Sequence, residues 1–473
     1  MPLITVSQKD DKNLFKKGLI TQIIIHLIRK LISIYQDIKK SRMRFVISLF
    51  FIIFSQSIQA QNFVPIDTSN VTYRKNLKTL YSKRVSDQSQ IFQKQITNPK
   101  VRKEVGSIYK EVTDGFKETI DKGYFVEDSL YRNELDKILK NLKNNNPDYA
   151  SLKTTQILLS YGTAPNAYAI GNDIVVVYIP LLKKIRNQYE LAYIISHEIA
   201  HNILKHSYNG MIANASLKQS EDLIKKTKEL KKQKYNRAGE SITLYKNLIY
   251  GSSKNKRKLE QEADSLGFIL FKNAYKDYQY EVVKTLELLE IVDKETDSLS
   301  VEDYVSLFET EQLPFKKEWI VNGELESYKY DTTPKFWTID SLKTHPDCKI
   351  RAEFIKTNFE VQENKLQEAS EEFKTIQFAS KYNDVLGLYV IEEYGKSLYE
   401  TLLLLKWEPE NQFLRNLVSE NLLKIQSAQK SYTLDRHLDR LNPRNSDSYN
   451  TFLYFIRELR RKEMDELINL YKA

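Results

Sequence analysis

From residue 70 to residue 150, Leu, Ile, Tyr and Phe recur at helical spacing among many Lys and Glu, with breaks near Asn98-Pro99 and at Asn144-Asn145-Asn146-Pro147. This pattern predicts a helical lead-in. The period then changes. Gln156 to Tyr161 is a short apolar run and Asp173 to Tyr178 is rich in Val, with turn residues in the intervening GTAPNAYAIGN. The pair reads as a hairpin or meander. Asn187 to Lys205 returns to helical spacing, with Leu191, Ile194, Ile195, Ile199 and Ile203 apolar, and is expected to be one unbroken helix. Lys218 to Lys234 carries only a weak apolar face among lysines and is expected to be a solvated helix. From Ala369 onward nearly everything reads as helix, broken at Glu408-Pro409-Glu410-Asn411 and Leu441-Asn442-Pro443-Arg444-Asn445. The 34-residue spacing of those breaks matches tetratricopeptide helix pairs. The small-residue positions of such repeats are poorly kept, so plain helical hairpins are the reading adopted. The fold class expected is α+β, predominantly helical, with a small β-sheet and an all-helical C-terminal region.

Composition agrees: 13 Gly and 11 Pro among 473 residues leave long helices undisturbed and exclude collagen-like or Gly/Pro-rich disordered classes. The net charge of +10 could suggest a nucleic-acid partner. However, residues 1 to 60 hold ten Lys/Arg against three Asp, so the body of the chain is nearly neutral and no nucleic-acid partner is expected.

That basic surplus belongs to another pattern. Residues 39 to 60 run from a basic stretch ending at Arg44, through the apolar Phe45 to Phe54, to a more polar end at Ala60. The order is that of a signal peptide, and the apolar core is short of the roughly 20 residues a spanning helix needs. Cleavage before Gln61, and hence export to a periplasm or the exterior, is expected. Residues 18 to 36 are apolar but carry His26, Arg29 and Lys30, so they read as amphipathic. Met43 stands where a signal peptide could begin. Three regions follow: an export segment (1–60), a central domain with its lead-in (61–360) and a C-terminal helical region (361–473).

The single cysteine, Cys348, excludes internal disulfides and metal clusters built on cysteine pairs. Any metal must be held by His, Asp or Glu. His197-Glu198-Ile199-Ala200-His201 is an HExxH pattern. On a helix its two imidazoles stand about 40° apart and about 6 Å along the axis, aimed at one point, with Glu198 beside that point. Catalytic zinc takes three protein ligands and leaves one position for water. His206 is five residues beyond His201, about 140° around the same helix, and Leu204 stands where a helix-breaking Gly would be needed. His206 is therefore expected outside the ligand set, as a surface or supporting group. Glu260 and Asp264 are four apart in KLEQEADSLGFIL and share a helix face. Glu260 is suited to ligate a metal and Asp264 to accept an N–H from a ligating imidazole.

The Pro165-Asn166-Ala167-Tyr168-Ala169 turn, the Val-rich strand, Glu190-Leu191, HEIAH and EQEAD follow in an order that resembles the gluzincin metallopeptidases of the CAAX prenyl endopeptidase and HtpX class, especially soluble periplasmic members such as BepA. The resemblance spans roughly residues 95 to 360 and implies a zincin-like core with one Zn2+ per chain. It implies His197, His201 and Glu260 as zinc ligands and Glu198 as general base. Thr344-His345-Pro346 with Arg351 resembles the family's HPxxxxR element, giving His345 a catalytic or gating role and Arg351 a supporting one. Substrate is expected to lie extended along an edge strand, touching Asn166, Ala167, Ile174, Val175 and Val176. The function expected is an exported metalloendopeptidase acting on proteins or peptides, with membrane or envelope proteins as possible partners of the C-terminal helices. The alternative is a chaperone-like scaffold whose zinc site is closed or vestigial.

Overall fold

The structure is a computed structural model that describes residues 63–232, 237–320 and 348–472. The export segment and His345 lie outside those residues.

Helices α1 (Val71–Gln95) and α2 (Pro99–Asp121) form the lead-in. The break between them is where expected: the Asn98 side chain accepts hydrogen bonds from the backbone N–H groups of Lys100 and Val101, and Pro99 fills the first helical position. Next come β1 (Phe125–Val126), α3 (Ser129–Asn145), α4 (Ala150–Thr154), β2 (Gln156–Ser160), β3 (Ala167–Gly171), β4 (Ile174–Tyr178) and α5 (Ile179–Leu182). The helical body continues as α6 (Gln188–Ile203), α7 (His206–Lys218), α8 (Glu221–Lys232), α9 (Arg237–Ala274), α10 (Gln279–Leu289), α11 (Val301–Phe308) and α12 (Cys348–Asn358). Helices α13 (Glu371–Val390), α14 (Tyr394–Leu405), α15 (Gln412–Lys430), α16 (Asp447–Glu458) and α17 (Arg461–Lys472) complete the chain. Among the described residues no helix is long and apolar enough to cross a membrane.

The four strands form one sheet in the order β1-β2-β4-β3. Here the structure corrects the sequence reading twice. The two apolar runs β2 and β4 are parallel, Gln156 facing Ile174 through to Ser160 facing Tyr178, so they are not a hairpin. The antiparallel hairpin is β3–β4, closed by Asn172 and Asp173, both at positive φ, as a two-residue turn with the twist of a sheet requires. The second correction concerns the edge. Strand β4 lies between β2 and β3 and is hydrogen-bonded on both sides, so Ile174, Val175 and Val176 are fully buried and line no edge. An unbroken Ile-Val-Val-Val run is what an interior strand covered on both faces needs.

Side-chain alternation divides the sheet between two layers. Leu158, Ile174 and Val176 meet Leu77, Tyr81, Phe116 and Ile120 of the lead-in helices. On the other face, Ile157, Leu159, Val175 and Val177 pack with Leu135 and Ile138 of α3, Leu191, Ile195 and Ile199 of α6, and Phe268 and Phe271 of α9. Helix α6 is therefore buried nearly all round. Its start is held by Asn187, whose side chain accepts from the N–H groups of Tyr189 and Glu190 and donates to Glu281 on α10. The lead-in is thus a structural layer that clamps the outer face of the sheet.

The C-terminal helices join this body through a buried ion pair. Lys183, just after α5, contacts Asp384 on α13 and reaches Glu400 on α14 at 3.1 Å. Asp384 is only 4% exposed. Lys183→Met would leave its carboxylate buried without a partner, and the expected loss is about 3–5 kcal/mol in chemical denaturation. Adding Asp384→Leu should recover most of it. A single variant as stable as the parent would show that the pair does not hold these helices.

Candidate metal centre and active site

Helix α6 supplies both histidines of the HExxH pattern, and α9 packs directly across it. His197 Nε2 and His201 Nε2 are 3.1 Å apart. Glu260 Oε2 stands 3.5 Å from the first and Oε1 3.7 Å from the second. One ligand atom from each of the three side chains lies within 4.8 Å of the others, a group that could hold a metal ion. The spacing can be checked against chemistry: ligands about 2.0–2.1 Å from one tetrahedral centre stand roughly 3.3–3.4 Å apart. Glu260 Oε2 is also buried with no donor in line with it, although the Arg351 guanidinium lies 3.1 Å away, so it has a lone pair free for a ligated ion.

The electrostatics follow from crowding in a dry place. Burial by itself disfavours the charged form of both imidazoles. At His197 the carboxylates of Asp264 and Glu260 outweigh burial and hold the ring's pKa up at about 10. At His201 burial and the neighbouring imidazole together push it down to about 3, which leaves a neutral ring with a free lone pair. Glu260 resists burial through His197 and Arg351 and is held down at about 2, so it is an anion. Two imidazoles and a carboxylate converging on one point form a donor set that a divalent cation fits once it displaces the proton from His197.

Around this cluster stands a second layer. Asp264 Oδ1 is 3.0 Å from His197 Nδ1, within hydrogen-bonding distance although the ring N–H points off the in-line direction. Arg351 from α12 grips Asp264 with two hydrogen bonds of 2.6 and 2.7 Å, and its Nη1 lies 3.1 Å from Glu260 Oε2. Tyr193, one turn before His197, donates its hydroxyl to Asp264 at 3.0 Å. The sequence reading missed Tyr193, although its position four residues before His197 on the same face was a usable signal. It also missed Gly267. A Cβ there would sit 2.9 Å from His197 Cα and 3.0 Å from its backbone N. Only glycine lets α9 approach α6 this closely.

His206 corrects a further expectation. Helix α6 does break, with Leu204 as its C-cap and Lys205 at φ 56° in the left-handed region. This non-glycine residue takes the strain that Gly was expected to relieve, and α7 restarts at His206 in a new direction. His206 is buried beside His201 but is not one of the three grouped side chains. Cys348 is buried and outside the group as well.

Glu198 faces a cleft of about 330 Å³ lined by Asn166, Ala167, Leu181, Tyr193, Ile194, His197, Leu286, Leu289 and Arg351, among others. The Glu198 carboxyl is 8% exposed, and burial pushes its pKa up to about 7, with His197 and a backbone hydrogen bond from Ala169 pulling the other way. Asn166 and Ala167 are thus in the cleft wall, whereas Ile174, Val175 and Val176 lie inside the sheet.

Residues 130–358 match the model of Peptidase family M48. The match runs from α3 to the end of α12, takes in every described side chain of the cluster and supports a metallopeptidase. No curated protein matches the chain.

Proposed function

We propose that the chain is an exported zinc endopeptidase that hydrolyses peptide bonds in unfolded stretches of envelope proteins, nearest in kind to soluble periplasmic members such as BepA. The observation that carries the hydrolytic reading is one cleft lined by both His197 of the metal-ligating cluster and the buried Glu198 carboxylate. Zinc held by His197, His201 and Glu260 would supply Lewis acidity toward a peptide carbonyl and toward water. Glu198 takes a proton from the attacking water and passes it to the leaving amine. Its burial supports that role, because a carboxylate raised toward neutrality is a stronger base. Arg351 and Tyr193 hold Asp264, and Asp264 orients His197. Export is supported by the basic, apolar and polar order of residues 39 to 60.

Strand β3 ends the sheet order, beyond which no further strand pairs among the described residues. Its first residue lines the cleft and its Ala169 touches Glu198. An extended peptide adding to β3 would pass in front of Glu198, a mode that favours unfolded substrate.

The pH profile tests the base. Glu198 must be ionised to accept a proton, so the rate falls as pH drops through its pKa. Its carboxyl stands at about 7 from burial, and a nearby divalent cation draws it lower. Cleavage of a fluorogenic peptide should therefore show an acid limb at or below about pH 7 and a plateau above it. A rate that rises as pH falls through this range would remove Glu198 from the role.

A further inference from the structure

Buried His206 and exposed Glu262 are titratable groups next to the cluster that hydrolysis leaves unused. His206 is 6% exposed. Its Nδ1 stands 2.9 Å from Nδ1 of His201, and its Nε2 stands 3.3 Å from Glu262 Oε2 on α9. Both of its ring nitrogens therefore have partners. An incidental surface histidine has no reason to be so placed.

The protons in this chain of contacts have one consistent arrangement. His201 turns Nε2 toward His197 and Glu260, and ligation needs the lone pair there. The proton of a neutral His201 must then sit on Nδ1 and be donated to His206 Nδ1. For His206 Nδ1 to accept, the proton of a neutral His206 must sit on Nε2, where it is donated to the Glu262 carboxylate. The opposite arrangement would put a proton on His201 Nε2, aimed at the ligand point.

We infer that Glu262 and His206 form a hydrogen-bonded relay that fixes the tautomer and ring orientation of His201 and so tunes the metal affinity of the cluster. The inference rests on reading the cluster as a metal site. Asp264 stands to His197 as His206 stands to His201, so the two ligating rings have unlike supports: a carboxylate in contact with one, a carboxylate acting through a second imidazole on the other. The break at Lys205 is what makes this possible. A continuous helix would carry residue 206 about 140° away from residue 201. His206 and Glu262 are positioning residues, since neither is in the ligand group.

The test is zinc affinity, measured on the full chain by competition with a chromophoric chelator. The variants are His206→Phe, His206→Asn and Glu262→Gln, compared with the parent. His206→Phe keeps bulk but removes the acceptor, and should weaken zinc binding about 10–100-fold. His206→Asn offers an amide oxygen in its place and should restore part of that loss. Glu262→Gln keeps an acceptor but loses the charge, and should weaken binding several-fold; this half-exposed side chain also serves as the check should His206→Phe fail to fold. Parental affinity in Glu262→Gln and in a folded His206 variant would overturn the relay while leaving the metal site intact. Failure of the parent itself to bind zinc would overturn the metal site and the relay together.

Discussion

Glu198→Gln is expected to retain its metal and lose about two to four orders of magnitude in kcat, the usual contribution of a positioned general base. Glutamine has the same shape and fits the same buried place, 8% exposed beside His197, so packing should be unchanged. It cannot take a proton. Since Glu198 is not in the ligand group, metal content should be that of the parent. Turnover of a fluorogenic peptide by the purified variant, with its metal content measured in parallel, checks both halves. A variant that cuts at the parental rate would mean that another group accepts the proton.

Gly267→Val should disable the site from behind. The atoms a Cβ would meet belong to the His197 and Ser196 backbone, at 2.9 to 3.3 Å, and backbone inside a buried helix cannot step aside. Helix α9 would have to withdraw, taking with it Glu260 and Asp264, which lie on the same stripe two turns and one turn earlier. Overpacking of this kind typically costs about 1–3 kcal/mol. Metal affinity should fall with it. The sign of the smaller change is the sharper test. Gly→Ala inside a helix ordinarily stabilises by about 0.5–1 kcal/mol, and that gain is expected at Gly106 and Gly210, where a Cβ would meet nothing within 4 Å. At Gly267 the same substitution should destabilise. Chemical denaturation of the three alanine variants separates the two cases, and a stabilised Gly267→Ala would show that the helices are not held this close.

What the sequence discloses depends on whether the physics is local. The HExxH spacing, the Asn187 cap and the four-residue step from Glu260 to Asp264 are properties of single helices, so each is legible before any fold is known. That α6 and α9 meet with Glu260 opposite His197 and His201 is a tertiary fact, and it was available only through the resemblance of the ordered motifs. Strand β4 was misplaced at an edge for the same reason. A short Val-rich run discloses burial, but its neighbours depend on a two-residue β1 and on β3, hidden within turn-like residues. The break after α6 was missed because Lys205 takes the left-handed conformation that the rule reserves for Gly, a strain compensated by the contacts His206 makes once redirected. Beyond the spacing of Tyr193 from His197, nothing local to their own helices marks Tyr193 or Gly267 as part of the site. Only the second helix shows that one bonds Asp264 and the other lies against His197.

The central claim is that two helices bring His197, His201 and Glu260 to one divalent ion. Metal analysis of the purified chain after extensive dialysis tests it most directly. One zinc per chain in the parent, lost in Glu260→Ala, is the result predicted; a parent that retains no metal, or a Glu260→Ala variant that retains it fully, would contradict it.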